Sequence, residues 1–197
     1  MTEDLIVCED GLARPRWAAS NGMLRAYYDA EWGMPITTEA GLFERLSLEC
    51  FQSGLSWAII LSKREAFRQA FEYFDPEKVA LFTEDDFNRL MEDAGIVRNR
   101  LKIASAISNA RHYLEVQQRF GSFDAYLWQF VDGKPIINAW REASEVPAKT
   151  AISDKLSRDL QQRGFKFVGS TICYALMQAV GMVNDHTVDC FRHAELA

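Results

Sequence analysis

No apolar run in the 197 residues approaches the roughly 18–20 that a membrane-spanning helix needs. Glycine (11) and proline (5) are too sparse for a collagen-like or linker-dominated chain. Cysteine is scarce too: Cys8, Cys50, Cys173 and Cys190 are scattered, which excludes a secreted disulfide scaffold. The opening stretch, MTEDLIVCED, is acidic and lacks the basic start and apolar core of a signal peptide, so a reduced cytoplasm is the expected setting. Positive charge is in deficit. With 22 Lys+Arg against 28 Asp+Glu the formal net charge is −6, so any nucleic-acid binding must come from a local patch. G-x-S-x-G, P-loop and Rossmann glycine patterns are missing, which leaves triad hydrolases and nucleotide binders without support.

What remains is ordinary for a globular protein: 48% hydrophobic and 25% charged residues, at a length that fits one domain or two lobes on one core. The apolar spacing is helical nearly everywhere. Leu42, Leu46 and Ser53 share one face, and Ile60, Arg64, Phe67 and Phe71 another. Asp75-Pro76 reads as a cap and first-turn proline, Thr83 to Asp86 as a capping arrangement, and Gly95 as a stop. A helix carrying Leu101, Ile107 and Leu114 should end before Gly121, and residues 123–131 form another. Residues 131–147 are the least regular; Ser153 then caps a helix to about Gln162, and a last one runs from Ser170 to about Val180. No segment alternates with period 2, so the expectation is an all-α fold.

Two clusters and one spacing carry chemistry. Arg163 to Thr171 (RGFKFVGST) lies between two predicted helices. Gly164 can end the first in a left-handed conformation, while Gly169, Ser170 and Thr171 open the second, where free amides favour an anion. Lys166 adds charge, with Arg163, Arg158, Lys155 and Lys149 nearby. This is either a grip on one DNA phosphate or a plain helix–turn corner. Further upstream, Trp17, Tyr27, Tyr28, Trp32 and Trp57 fall within the first 57 residues together with a carboxylate, Glu49, which borders the stripe of Leu42 and Leu46. Such a set can stack on a purine and hydrogen-bond its edge, with extra attraction if the purine is cationic; it can equally be core aromatics beside a helix-edge glutamate. Finally His186, Cys190 and His193 have the spacing H-x3-C-x2-H, but a tetrahedral zinc site needs four ligands.

Over roughly residues 15–190 the chain resembles the DNA-3-methyladenine glycosylase I family of helix-hairpin-helix DNA glycosylases. The resemblance rests on Tyr27-Tyr28-Asp29 with Glu31-Trp32-Gly33, on Leu48 through Trp57, on Asp93 through Arg98, on Arg163 to Thr171, and on Val183-Asn184-Asp185-His186. It implies one domain over 1–197, two helical lobes and a base-binding cleft between them, with the terminal segments in one lobe and roughly residues 38–150 forming much of the other. The implied substrate is alkylated double-stranded DNA, with no membrane partner, and the implied state is a monomer. Glu49 is the implied catalytic residue, and Tyr27, Trp57, Trp17 and Trp32 the base-binding set. Gly164, Lys166, Gly169, Ser170 and Thr171 would hold the backbone, with Gly54 and Leu55 near the gap left by the extracted base.

The family reading also explains what is missing. Asn184 stands where many relatives carry a catalytic aspartate, and Thr171 where bifunctional lyases carry a lysine. A monofunctional hydrolase acting on an already cationic leaving group follows, with no Schiff-base strand cleavage. Members of the family hold structural zinc through four ligands; here His186 and Cys190 match two, but the other positions are Pro15 and Tyr28. The expectation is therefore no cofactor, with the termini tied by packing and hydrogen bonds; the alternative is zinc held by a substitute set of Cys8, His186, Cys190 and His193. A broader alkylpurine glycosylase and a non-catalytic helix-hairpin-helix DNA-binding module remain as alternatives.

Overall fold

Short polar residues set most helix starts, because their side-chain oxygens accept the orphan amides of the first turn. In the computed structural model, which describes residues 5–197, the chain opens with an antiparallel pair, β1 (Leu5–Val7) and β2 (Ala13–Pro15), and one turn of helix, α1 (Arg16–Ala19). Asn21 caps α2 (Gly22–Ala30). The central helix α3 (Glu39–Gln52) is buried at every residue from Leu42 to Phe51. Ser56 caps α4 (Trp57–Ser62), and α5 (Arg64–Ala70) follows. The stripe from Ile60 to Phe71 is thus split at Lys63, whose ammonium donates to the carbonyls of Ala94 and Gly95.

Asp75 and Pro76 start α6 (Pro76–Ala80), and Thr83 with Asp86 closes a capping box on α7 (Glu84–Glu92), as the sequence indicates. Gly95 lies beyond that helix. A Cβ there would come within 2.9 Å of Ala66, so the glycine serves close packing rather than a stop. The long α8 (Arg100–Phe120) ends at Gly121, φ +87°, and α9 (Phe123–Trp128) runs on into a 3-10 turn. After the two-residue β3 (Ile136–Ile137) comes α10 (Ala151–Gln162). Its cap is Thr150; Ser153 is the third helical residue and reaches back to the Thr150 amide at 2.9 Å. Then come α11 (Ser170–Ala179), β4 (Val183–Asn184), which pairs in parallel with β3, and α12 (Phe191–Glu195).

The fold is all-α apart from these two strand pairs. Strands of two or three residues are too short to show alternation, which is why the sequence hides them. The main core runs from Leu42 to Val183 and places α3 against the C-terminal helices. A small cluster of Ala18, Tyr28 and Cys190 joins the two ends of the described chain, and another joins Tyr27 and Leu24 to Leu61. Among the described residues no helix is long and apolar enough to cross a membrane.

Candidate active site

Where α2, α3, α4 and the segment after β4 meet, they leave a cavity of about 340 Å³. Tyr27 and Tyr28 come from α2, Glu49 and Gln52 from α3, and Trp57 from the first turn of α4. Trp17 and Trp32 line it from the N-terminal segment, and Asp185, His186 and Thr187 from the segment after β4, with His186 edge-on to Trp32 at 4.6 Å and to Tyr28 at 5.1 Å. Tyr27 and Trp57 have ring centroids 5.4 Å apart; Trp17 meets Trp32 and Tyr28 edge-on at 5.9 and 5.4 Å. Trp17 is 40% exposed, so the aromatic rim is open to a ligand. Gly33, at φ +83°, makes the close approach of the segment after β4 possible: a Cβ there would lie 2.6 Å from His186 Cε1.

Glu49 is buried, 4% exposed, and no hydrogen bond to its carboxylate is found among the described residues. Desolvation pushes its pKa up to about 7, and Arg45, one helical turn away, pulls the other way. Asp185 is its opposite in bonding. One oxygen accepts from Asn138 Nδ2 and Trp140 Nε1, each at 2.7 Å, and the other from Tyr174 Oη at 2.6 Å and Gln178 Nε2 at 2.8 Å. Three further polar atoms of cavity residues are buried with no protein partner: Trp57 Nε1, Thr187 Oγ1 and His186 Nε2. Burial holds His186 neutral, with a pKa down near 3. The chamber therefore offers flat aromatic faces, one unbonded carboxylate and a few free polar atoms. That combination suits a planar, positively charged heterocycle.

The hairpin lies behind the same helix. Cys50, the neighbour of Glu49, packs its thiol on the Phe167 carbonyl at 3.4 Å. Asn109 clamps Lys166 through both backbone groups, at 2.8 and 3.0 Å, and Ser157 Oγ donates to the Val168 carbonyl. Gly164 has φ +96°, and a Cβ on it would collide with His112. Gly169 heads α11 with no side-chain cap and open space around it, Ser170 Oγ meets Ser153 Oγ at 2.9 Å, and Thr171 and Lys166 are exposed. Arg163 is not part of this exposed charge: it is paired with Asp159 and lies over the rings of Phe120 and Tyr126. Gly54, at φ +79°, and Leu55 form the turn after α3, which Lys102 braces from beneath by donating to the carbonyls of Phe51 and Ser53.

The residues at the family's metal positions do not form a donor set. Tyr28 and Cys190 are bonded to each other, oxygen to sulfur at 2.6 Å, and Pro15 has no ligating atom. His186 uses Nδ1 on Asn184 Oδ1, His193 uses Nε2 on the Asn138 carbonyl, and Cys8 turns to the Ile6 carbonyl. Cys8, His186, Cys190 and His193 are thus not gathered, and among the described residues no three His, Cys, Asp or Glu side chains converge on a metal position. Asn184 does not line the cavity; its amide is spent on His186 and the His193 carbonyl. Sequence reasoning missed Asp185, Thr187, Gln52 and Gln178 as cavity residues. Gln52 and Asp185 lay inside quoted motifs, and only folding shows where they point.

The methyladenine glycosylase family model matches residues 17–193. A DNA-3-methyladenine glycosylase 1 of Escherichia coli (strain K12) is 48% identical over 91% of this chain and 96% of its own length. A crystal structure of 3-methyladenine DNA glycosylase I superposes with a TM-score of 0.86 at 46% identity, covering 89% of this chain and 97% of that one. A single-residue variant of such an enzyme, solved in complex with 3-methyladenine, gives 0.85 at 38% identity over 87% and 92%.

Proposed function

The chain belongs to the methyladenine glycosylase family, and from that premise we propose how its cavity works. It is a base-excision-repair enzyme that hydrolyses the N-glycosidic bond of 3-methyladenine in alkylated DNA. The observation that carries the mechanism is the buried Glu49 carboxylate, which accepts no hydrogen bond from the described residues and lines one cavity with Tyr27, Trp57, Trp17 and Trp32. The hairpin holds one backbone phosphate through the open amides at Gly169, Ser170 and Thr171, with Lys166 alongside. The turn of Gly54 and Leu55 sits against the gap as the damaged nucleotide swings out. Extraction costs a few kcal/mol, least for a damaged base.

Inside the cavity the cationic base stacks between aromatic faces, and Glu49 holds it by charge and hydrogen bonding. Methylation at N3 already makes adenine a good leaving group, so binding and orientation supply most of what the reaction needs. Cleavage of the glycosidic bond returns the bonding electrons to the ring and releases neutral 3-methyladenine; water completes the abasic sugar. No amine stands at Thr171, so no covalent protein–DNA intermediate forms and the strand stays whole. The enzyme acts as a monomer in the cytoplasm, and no step passes through a metal.

Incubation with methylated duplex DNA tests this directly. Free 3-methyladenine should appear, the strands should break only after alkali, and borohydride should trap no protein–DNA adduct. A trapped adduct, or no released base, contradicts the mechanism.

A further inference from the structure

Behind the base-binding wall lies a buried cation that base recognition alone does not require. Arg45 is 2% exposed and among the largest fully buried side chains. Nη2 donates to Glu31 Oε2 at 3.1 Å, and the guanidinium carbon lies 5.0 Å from the centre of the Tyr27 ring. Nη1 is buried with no protein partner. Glu31 is shared with Arg64, at 2.7 and 2.8 Å, and Arg64 and Arg68 both hold Glu44. Arg45 is therefore the inner end of a line of alternating charges that runs from the surface toward the cavity.

A guanidinium buried with one N–H unused is costly, and an apolar side chain of similar volume would fill such a place at no loss of stability. Its two functional neighbours suggest why a cation stands there. Tyr27 lies against its face, and Glu49 is one turn further along the same helix. We propose that Arg45 is a positioning residue for base excision, backing the Tyr27 ring and keeping Glu49 negatively charged in a dry site. This rests on Glu49 being the group that holds the base. The other ionisable groups around Glu49 are Tyr27 and Tyr28 on α2, Cys50 on α3, and Asp185 and the neutral His186 in the segment after β4. Among the described residues Arg45 is the one cation acting on Glu49.

Excision measured as kcat/KM between pH 5.5 and 9 separates this from a packing role, because it reports ionisation in the free enzyme. In wild type the rate should rise with pH as Glu49 loses its proton. In Arg45→Met the same limb should move up by about one pH unit, with the deficit shrinking toward pH 9. Arg45→Lys should restore part of the shift and stands in should the methionine variant fail to fold. Glu31→Gln should move the limb the other way, since Arg45 then acts uncompensated. A uniform loss at every pH with an unmoved limb in the Arg45 variants overturns the proposal and makes Arg45 structural. Glu49→Gln run in parallel separates the premise from the inference. If it keeps wild-type activity, the reading of Glu49 falls and this proposal with it; if it loses activity while the Arg45 variants leave the limb in place, only the proposal falls.

Discussion

Two carboxylates face the same cavity under opposite conditions. Glu49, on the α3 wall, is buried without a hydrogen-bond donor among the described residues, and its pKa rises to about 7. Asp185, on the wall after β4, is equally buried but accepts from four neutral side chains. Saturated oxygens hold structure together; unsaturated ones wait for a ligand. Asp185 joins the loop at Asn138 and Trp140 to α11 and so fixes the wall that carries His186 and Thr187. Glu49 makes no such bonds, and in the proposed mechanism the substrate supplies its partner.

The largest effect should come from breaking the saturated partner. Asp185→Asn puts an amide donor against two groups that are themselves donors, and, at roughly 1–3 kcal/mol for each buried donor left unpaired, should lower unfolding stability by about 3–5 kcal/mol in urea titrations. A loss below about 1 kcal/mol would mean the four bonds are not holding the wall.

Glu49→Gln should do the reverse. A folded-state pKa above the ordinary 4.5 means the native protein keeps a proton that the unfolded chain has shed. Ionising Glu49 therefore destabilises the fold as pH rises from about 4.5 through 7. The glutamine variant should be more stable than wild type at pH 8.5, by on the order of 3 kcal/mol, and match it near pH 4.5. Equal stability at both pH values would show that Glu49 is better solvated than its burial implies.

Outside the cavity neither carboxylate should matter. Lys166→Glu should weaken DNA binding at low salt about tenfold and flatten the salt slope by about one phosphate contact, read by fluorescence anisotropy. Unfolding stability should stay within about 0.5 kcal/mol. The smallest effect belongs to the clasp between the chain's ends. Tyr28→Phe removes the bond to Cys190 but keeps the ring among Trp17, Trp32 and His186, and should cost about 1 kcal/mol in thermal unfolding.

The contrast between the two carboxylates was half legible in the sequence. Glu49 borders the stripe of Leu42 and Leu46 near several aromatics, a pattern that fits core packing equally well, and it was the family resemblance that singled it out; the caps at Asp75 and Thr83 marked their helices. Asp185 did not. Its partners lie at 138, 140, 174 and 178, and no local spacing predicts that four donors from separate elements will converge. Arg45 was equally silent, because a single arginine inside an apolar helix gives no sign of whether it reaches the surface. At Tyr28 the family resemblance implied a missing ligand; only the fold shows that the phenol meets the Cys190 thiol instead. The strands β3 and β4 escaped because two residues cannot display a period.

The central claim is that Glu49 is kept unsatisfied in order to hold the cationic base. Single-turnover excision of 3-methyladenine by Glu49→Gln at pH 8, on protein shown to be folded, tests it most directly. A loss of about 100-fold or more, in a variant at least as stable as wild type, is the predicted result. Excision within threefold of wild type would contradict it.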